Sequence, residues 1–249
     1  MQRPTSSVNA SFTVSEIVRN NYRTADVFKS FGINYCCGGN VSLQEACSQT
    51  STSLPEITEA LEKATITMPL SGTVQYGMWK PEFLIDYLVN IHHAYLHQTL
   101  PALTGTIVTF VEGHKKKFPY LAKLPLLFNQ LAQLLKEQNE KEETAVFPYL
   151  KQLINAYNRK ETYGSLFVKT MRLPLHHMLD KEHKQVSELL LQIRKETQNY
   201  TVPENGCTNY GVIMHKLAEL DADLVQHKHL ENNFLFPKVL EMEKELLQL

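Results

Sequence analysis

Residues 224–237 read LVQHKHLENNFLFP, and residues 141–148 read KEETAVFP. Both contain a glutamate, four residues, then Phe-Pro: Glu142 with Phe147 and Pro148, and Glu231 with Phe236 and Pro237. Each copy lies late in a long run rich in Leu, Glu, Lys, Gln and Ala, the residues that lose least on entering a helix. Each also has a histidine far upstream at a matching distance. His93 lies 49 residues before Glu142, and His183 lies 48 before Glu231. The second half of the chain therefore reads as two helix hairpins built on one plan.

Working outward, four long helical patterns follow Pro81, over about 81–112, 119–157, 168–198 and 207–247, with Pro, Gly or Asn near the breaks. In the first, Leu84, Tyr87, Leu88, Ile91, Tyr95 and Leu96 recur at three- and four-residue spacing and make one apolar face. Four long helices with short connections predict an up-down-up-down bundle. Ahead of it lie shorter helices. Thr13-Val-Ser-Glu16 is a capping box, a second helix stops at Gly32, and Ser42 and Ser53 open two more. The stretch TITMPLSGTVQYG, 65–77, carries Pro and two Gly without helical period. The expected organisation is all-α: a small helical domain over 1–64, a linker over 65–79 and a four-helix bundle over 80–249.

Composition narrows the function. Twenty-five Lys+Arg against 26 Asp+Glu leave a net charge of −1, so no basic field invites nucleic acid or anionic lipid. No apolar run approaches the roughly 18 residues that span a bilayer, and MQRPTSSVNASF lacks the apolar core of a signal peptide. Of four cysteines, Cys36 and Cys37 are adjacent, a spacing at which a disulfide is strained. Cytoplasmic residence, with no nucleic-acid or membrane partner, is the expectation.

Chemistry concentrates in the repeat. His227 and Glu231 are one turn apart and share a helix face. In a four-helix bundle, imidazoles and carboxylates on facing helices converge in the core and hold metal pairs. That donor set suits non-haem iron or manganese, and the absence of thiolates argues against structural zinc. The candidate ligands are His93, Glu142, His183, His227 and Glu231. By the repeat, residue 138 should match His227, but it is Gln138. His97, one turn from His93, is a candidate outer contact or replacement ligand. His92, His114 and His229 are expected at solvent or against neighbouring helices, and His176 and His177 at a helix start after Pro174.

With these residues in hand, the sequence resembles the iron–sulfur cluster repair di-iron proteins (the RIC family, ScdA/YtfE type). FGINYCCGGN, 31–40, carries the adjacent Cys36-Cys37-Gly38-Gly39. HHAYLHQTLP (92–101), KEETAVFP, DKEHKQVSELL (180–190) and LVQHKHLENNFLFP are similar to the four ligand-bearing segments of a hemerythrin-like bundle, and PENGC (203–207) is similar to the stretch before the last helix. The resemblance implies two irons on His93, Glu142, His183, His227 and Glu231, with both glutamates bridging and Glu182 as a carboxylate outside the ligand shell. It places histidine where Gln138 stands, which puts stoichiometry in question: two irons with one weak position, or one iron.

The function implied is repair of iron–sulfur clusters damaged by nitric oxide or oxidants, through iron donation, nitric oxide handling or both. The partners implied are damaged iron–sulfur proteins and a small ligand, nitric oxide or oxygen; a homodimer is allowed. Cys36 and Cys37 are the candidate thiols for passing iron or for redox chemistry, with a structural turn as the other reading. The alternative function is a hemerythrin-like sensor or carrier of oxygen or nitric oxide, mononuclear because of Gln138.

Overall fold

The structure is a computed structural model that describes residues 9–36, 39–65, 75–171 and 175–248, with the backbone alone over 175–182. Cys37, most of the expected linker and the Glu182 side chain lie outside the described residues. The fold is all-α, and the described residues contain no strand beyond one isolated bridge between Thr13 and Ser42. Two compact units form: Met1–Gly72 with Tyr200–Glu219, and Thr73–Asn199 with Leu220–Leu249.

In the first unit, helices α1 (Val14–Asn20), α2 (Thr24–Ser30), α3 (Leu43–Thr50) and α4 (Leu54–Thr65) surround a core that includes Val14, Phe28, Leu43, Ile57, Leu61 and Val212. The Thr13 box closes as its sequence demands: the Glu16 amide donates to Thr13 Oγ1 at 3.2 Å, and the Thr13 amide donates to Glu16 Oε2 at 2.8 Å. Gly32 takes φ +70°, the left-handed conformation that ends α2 without a Cβ penalty. Gly39 is fixed by close approach. Its carbonyl accepts from the Ser15 amide at 2.8 Å, and a Cβ there would overlap Ser15 Oγ and the Tyr35 carbonyl. Residues 200–219 complete this unit through the Arg23–Glu219 ion pair at 2.7 Å and a hydrogen bond from Tyr35 Oη to Asn209 Oδ1 at 3.1 Å.

The second unit is the helical bundle. Helix α5 (Pro81–Tyr87) runs through a π-helical turn, Leu88–His93, into α6 (Ala94–His114). Helix α7 (Leu124–Lys141) runs through Glu142–Val146 into α8 (Phe147–Arg159). Then come α9 (Gly164–Met171), α10 (Leu175–Glu196), the part of α11 (Thr208–Leu230) from Leu220 onward, a third π-turn at Glu231–Leu235, and α12 (Phe236–Gln248). Helix α7 packs on α6 and α10, and α12 packs on α8 and α9. The apolar side chains meet in a cluster that includes Leu88, Leu150, Ile154, Leu230 and Leu235. Within the same unit, Arg194 of α10 forks onto Asp221 of α11 with two bonds of 2.6 Å. Among the described residues, no helix is long and apolar enough to cross a membrane.

The Phe-Pro repeat explains two of the π-turns. Pro148 and Pro237 have no N–H for the carbonyls of Thr144 and Asn233, and their rings crowd those carbonyls. The turn ahead of each proline widens by one residue. Phe147 N–H therefore bonds to the Glu142 carbonyl, and Phe236 N–H to the Glu231 carbonyl, each five residues back. In the remaining π-turn, Leu88–His93, the Asn90 side-chain amide donates to the Asp86 carbonyl at 2.7 Å, and Ala94 N–H reaches back to Val89.

Candidate metal centre

All three π-turns carry candidate ligands. His93 ends the first, while Glu142 and Glu231 each begin one. A π-turn shifts the helical register by one residue, and such single-turn bulges recur at functional sites. With His183 on α10 and His227 on α11, the five residues meet in the bundle interior. Glu142, Glu231 and His93 are fully buried, His227 is 2% exposed and His183 6%.

Their donor atoms form two groups sharing Glu142. His93, Glu142 and His227 make one, and Glu142, His183 and Glu231 the other, with all ligand atoms within 4.8 Å of one another in each group. The carboxylates span the imidazoles. Glu142 Oε2 lies 3.2 Å from His93 Nε2. Glu231 Oε2 lies 3.2 Å from His183 Nε2, and its Oε1 lies 3.4 Å from His227 Nε2.

Among the described residues, several buried atoms find no hydrogen-bond partner: Nε2 of His93, His183 and His227, Oε2 of Glu142 and both oxygens of Glu231. Burying so many polar atoms without partners costs about 1–3 kcal/mol each, so the arrangement calls for something to bind them. Three imidazoles and two carboxylates, with no thiolate, fit a first-row divalent ion.

The electrostatics agree. Burial pushes Glu142 above the ordinary carboxylate range, and the charge of Glu231 adds to it, against His93, His227 and Gln138. Burial also works to raise Glu231, but His227 and His183 outweigh it and hold that carboxylate well below its usual range. Burial works to lower His227, yet Glu231, Glu142 and Asp223 carry it up to about 9. Negative charge packed this densely holds protons when no metal is bound.

Around the ligands lies a ring of orienting contacts. Glu143 Oε1 meets His93 Nδ1 at 2.7 Å, the carboxylate–imidazole arrangement that orients a ligating histidine. His97 lies outside both groups, half-exposed, with Nε2 3.5 Å from the same Glu143 oxygen. His92 is buried against α11, bonded through Nδ1 to Asp223 Oδ1 at 2.9 Å, and its ring stacks on His227 at 5.4 Å. Lys228 Nζ donates to the His183 carbonyl at 2.7 Å and to Ser187 Oγ at 2.8 Å, which ties α11 to α10 beside the site. Burial lowers Lys228 to about 8. Sequence reasoning missed Glu143 and Asp223; the one available signal was that Glu143 follows a candidate ligand.

Gln138 is where the repeat places it, 4% exposed on α7 one turn before Glu142. Its Nε2 donates to Glu142 Oε1 at 2.8 Å, and its Oε1 has no hydrogen-bond partner among the described residues. In the first unit, Cys36 is half-buried, and its amide donates to Asn34 Oδ1 at 3.0 Å. The side chains of His176, His177 and Glu182 lie outside the described residues.

Residues 10–65 match the ScdA_N family, described as a domain of unknown function (DUF542). Over 225 residues the chain is 25% identical to the iron-sulfur cluster repair protein ScdA of Staphylococcus haemolyticus, covering 90% of this chain and 96% of the relative. The chain is similar to such repair proteins along nearly its whole length. It is 29% identical to the iron-sulfur cluster repair protein YtfE of Escherichia coli O157:H7 over 223 residues, 88% of this chain and 91% of the relative. A probable iron-sulfur cluster repair protein of Haemophilus influenzae is 26% identical over 218 residues, 86% of this chain and 90% of the relative.

Proposed function

We propose that the protein is a cytoplasmic non-haem iron protein that repairs iron–sulfur clusters damaged by nitric oxide or oxidative stress. The observation that carries this reading is the convergence of five buried, unsatisfied donors from facing helices of the bundle. The named relatives direct it to cluster repair. His93, Glu142, His183, His227 and Glu231 would hold two irons, with both carboxylates shared between them. Held by these residues, iron would supply an open coordination position for a small diatomic ligand or for transfer to an acceptor. The chain's own residues hold the imidazoles in register through Glu143 and Lys228, and the apolar bundle keeps bulk water from the donors.

Cys36 and Cys37 are the second part of the proposal, thiols that pass iron to or from a damaged client. Gly39, shortly after them in the chain, accepts through its carbonyl from the Ser15 amide. The clients are iron–sulfur proteins.

The test uses a hydratase that depends on a [4Fe–4S] cluster, inactivated by nitric oxide and then incubated anaerobically with the iron-loaded protein and a thiol reductant. Recovery of activity that is lost in the Glu142→Ala and Glu231→Ala variants supports repair from this site. Equal recovery with iron-loaded wild type, with the variants and with free ferrous ion contradicts it.

A further inference from the structure

We propose that the two halves of the metal site differ in affinity: the half built on His93 and His227 retains its ion, and the half built on His183 and Gln138 gives its ion up. This rests on the iron-binding reading above and assigns the transferable iron to one position.

Each shared carboxylate presents one oxygen to each half. Glu142 Oε2 faces His93 at 3.2 Å, and Glu231 Oε1 faces His227 at 3.4 Å. The first half thus sets two imidazoles around Glu142, with Glu231 Oε1 against one of them, His227. On the other side, Glu231 Oε2 faces His183 at 3.2 Å, and Glu142 Oε1 is bonded to Gln138 Nε2 at 2.8 Å. The second half has one imidazole, and where the first has its other imidazole it has a side-chain amide. The buried Gln138 Oε1, without a hydrogen-bond partner, is the only further donor that amide offers. A neutral amide oxygen binds first-row ions more weakly than imidazole nitrogen. The amide N–H also draws on the lone pairs of Glu142 Oε1, the oxygen that serves this half.

A second difference points the same way. His93 Nδ1 rests on Glu143 at 2.7 Å, whereas His183 Nδ1 is buried with no hydrogen-bond partner among the described residues. A carboxylate on the outer nitrogen fixes the tautomer and raises ligand basicity, and loss of such a contact alone lowers metal affinity about 10–100-fold. Both differences weaken the same half. An ion retained in the first half would keep Glu142 in place when the second half is empty.

The experiment is an anaerobic titration of metal-free protein with cobalt(II), followed by visible absorption and calorimetry. Two steps are expected, separated by at least about tenfold in affinity. Gln138→His should bring the second step towards the first and leave the first in place. His183→Ala should remove only the weak step, and His227→Ala the tight one, with circular dichroism confirming that each variant remains helical. Two equal steps in the wild type, or a Gln138→His variant that titrates as the wild type does, would overturn the asymmetry while leaving the metal site standing. No uptake of cobalt(II) or iron(II) by folded wild type would overturn the iron-binding reading itself, and the asymmetry with it.

Discussion

Gln138 and Glu142 are hydrogen bonded inside the bundle, Nε2 to Oε1 at 2.8 Å, one helical turn apart and closed to solvent. The contact fixes the rotamer of a carboxylate belonging to both ligand groups. At a position where the repeat leads one to expect an imidazole, it sets an amide–carboxylate bond. A centre of this kind holds its shape at Glu142 without metal, and the fully buried carboxylate pair bears the cost.

That cost sets the first prediction. A carboxyl whose pKa is raised in the fold loses stability for the fold at pH values above its ordinary range, and burial raises Glu142. Glu142→Gln removes the buried charge while keeping the shape. The metal-free variant should melt above metal-free wild type at pH 7, yet gain nothing from added metal. Thermal unfolding with and without iron(II) checks both halves of the statement.

Metal binding should be pH-dependent with a definite sign. His227 is carried up to about 9 in the metal-free site, so it is protonated at pH 7 and must lose that proton to ligate. Affinity should rise as pH increases from 7 towards 9 and fall below 7. Calorimetry in two buffers of different ionisation enthalpy should show protons released to the buffer at pH 7 and fewer at pH 9.

Glu143→Gln should leave the helices intact and weaken metal binding about 10–100-fold, because the His93 ring loses its charged outer partner. Competition with a chromophoric chelator measures the change. His97→Ala, which removes a half-exposed ring touching the same carboxylate, should change affinity far less.

In the first unit, Gly39→Ala places a methyl group against Ser15 Oγ and the Tyr35 carbonyl. The unit should lose about 1–3 kcal/mol, the usual cost of overpacking, and the metal titration should be unchanged. Denaturant unfolding followed by Tyr35-region amide exchange separates the two effects.

Much of this was legible in the sequence, for a physical reason. Helical periodicity and the Glu-x4-Phe-Pro repeat express packing constraints that act locally, so the bundle helices and the capping box at Thr13 could be read directly. The five candidate ligands came from the same repeat, and the structure brings all five together. The π-turns were not legible, although Pro148 and Pro237 cause two of them, because a helix end and a widened turn present the same Phe-Pro sequence. Nor was the outer ring. Glu143 and Asp223 take their roles from helix-to-helix register, which a one-residue shift at a π-turn resets. The grouping of Val212 and Asn209 with residues near the N-terminus is a contact across nearly the whole chain, and no local pattern encodes it.

Whether the buried donors of the bundle hold iron is read from iron per chain in protein purified without oxygen, with its absorption spectrum recorded before and after air. Up to two irons per chain are expected, with near-ultraviolet and visible bands on oxidation, and loss of both irons in a Glu142→Ala, Glu231→Ala double variant. Iron-free protein that stays colourless and binds no iron(II) on reconstitution would contradict iron binding by these donors.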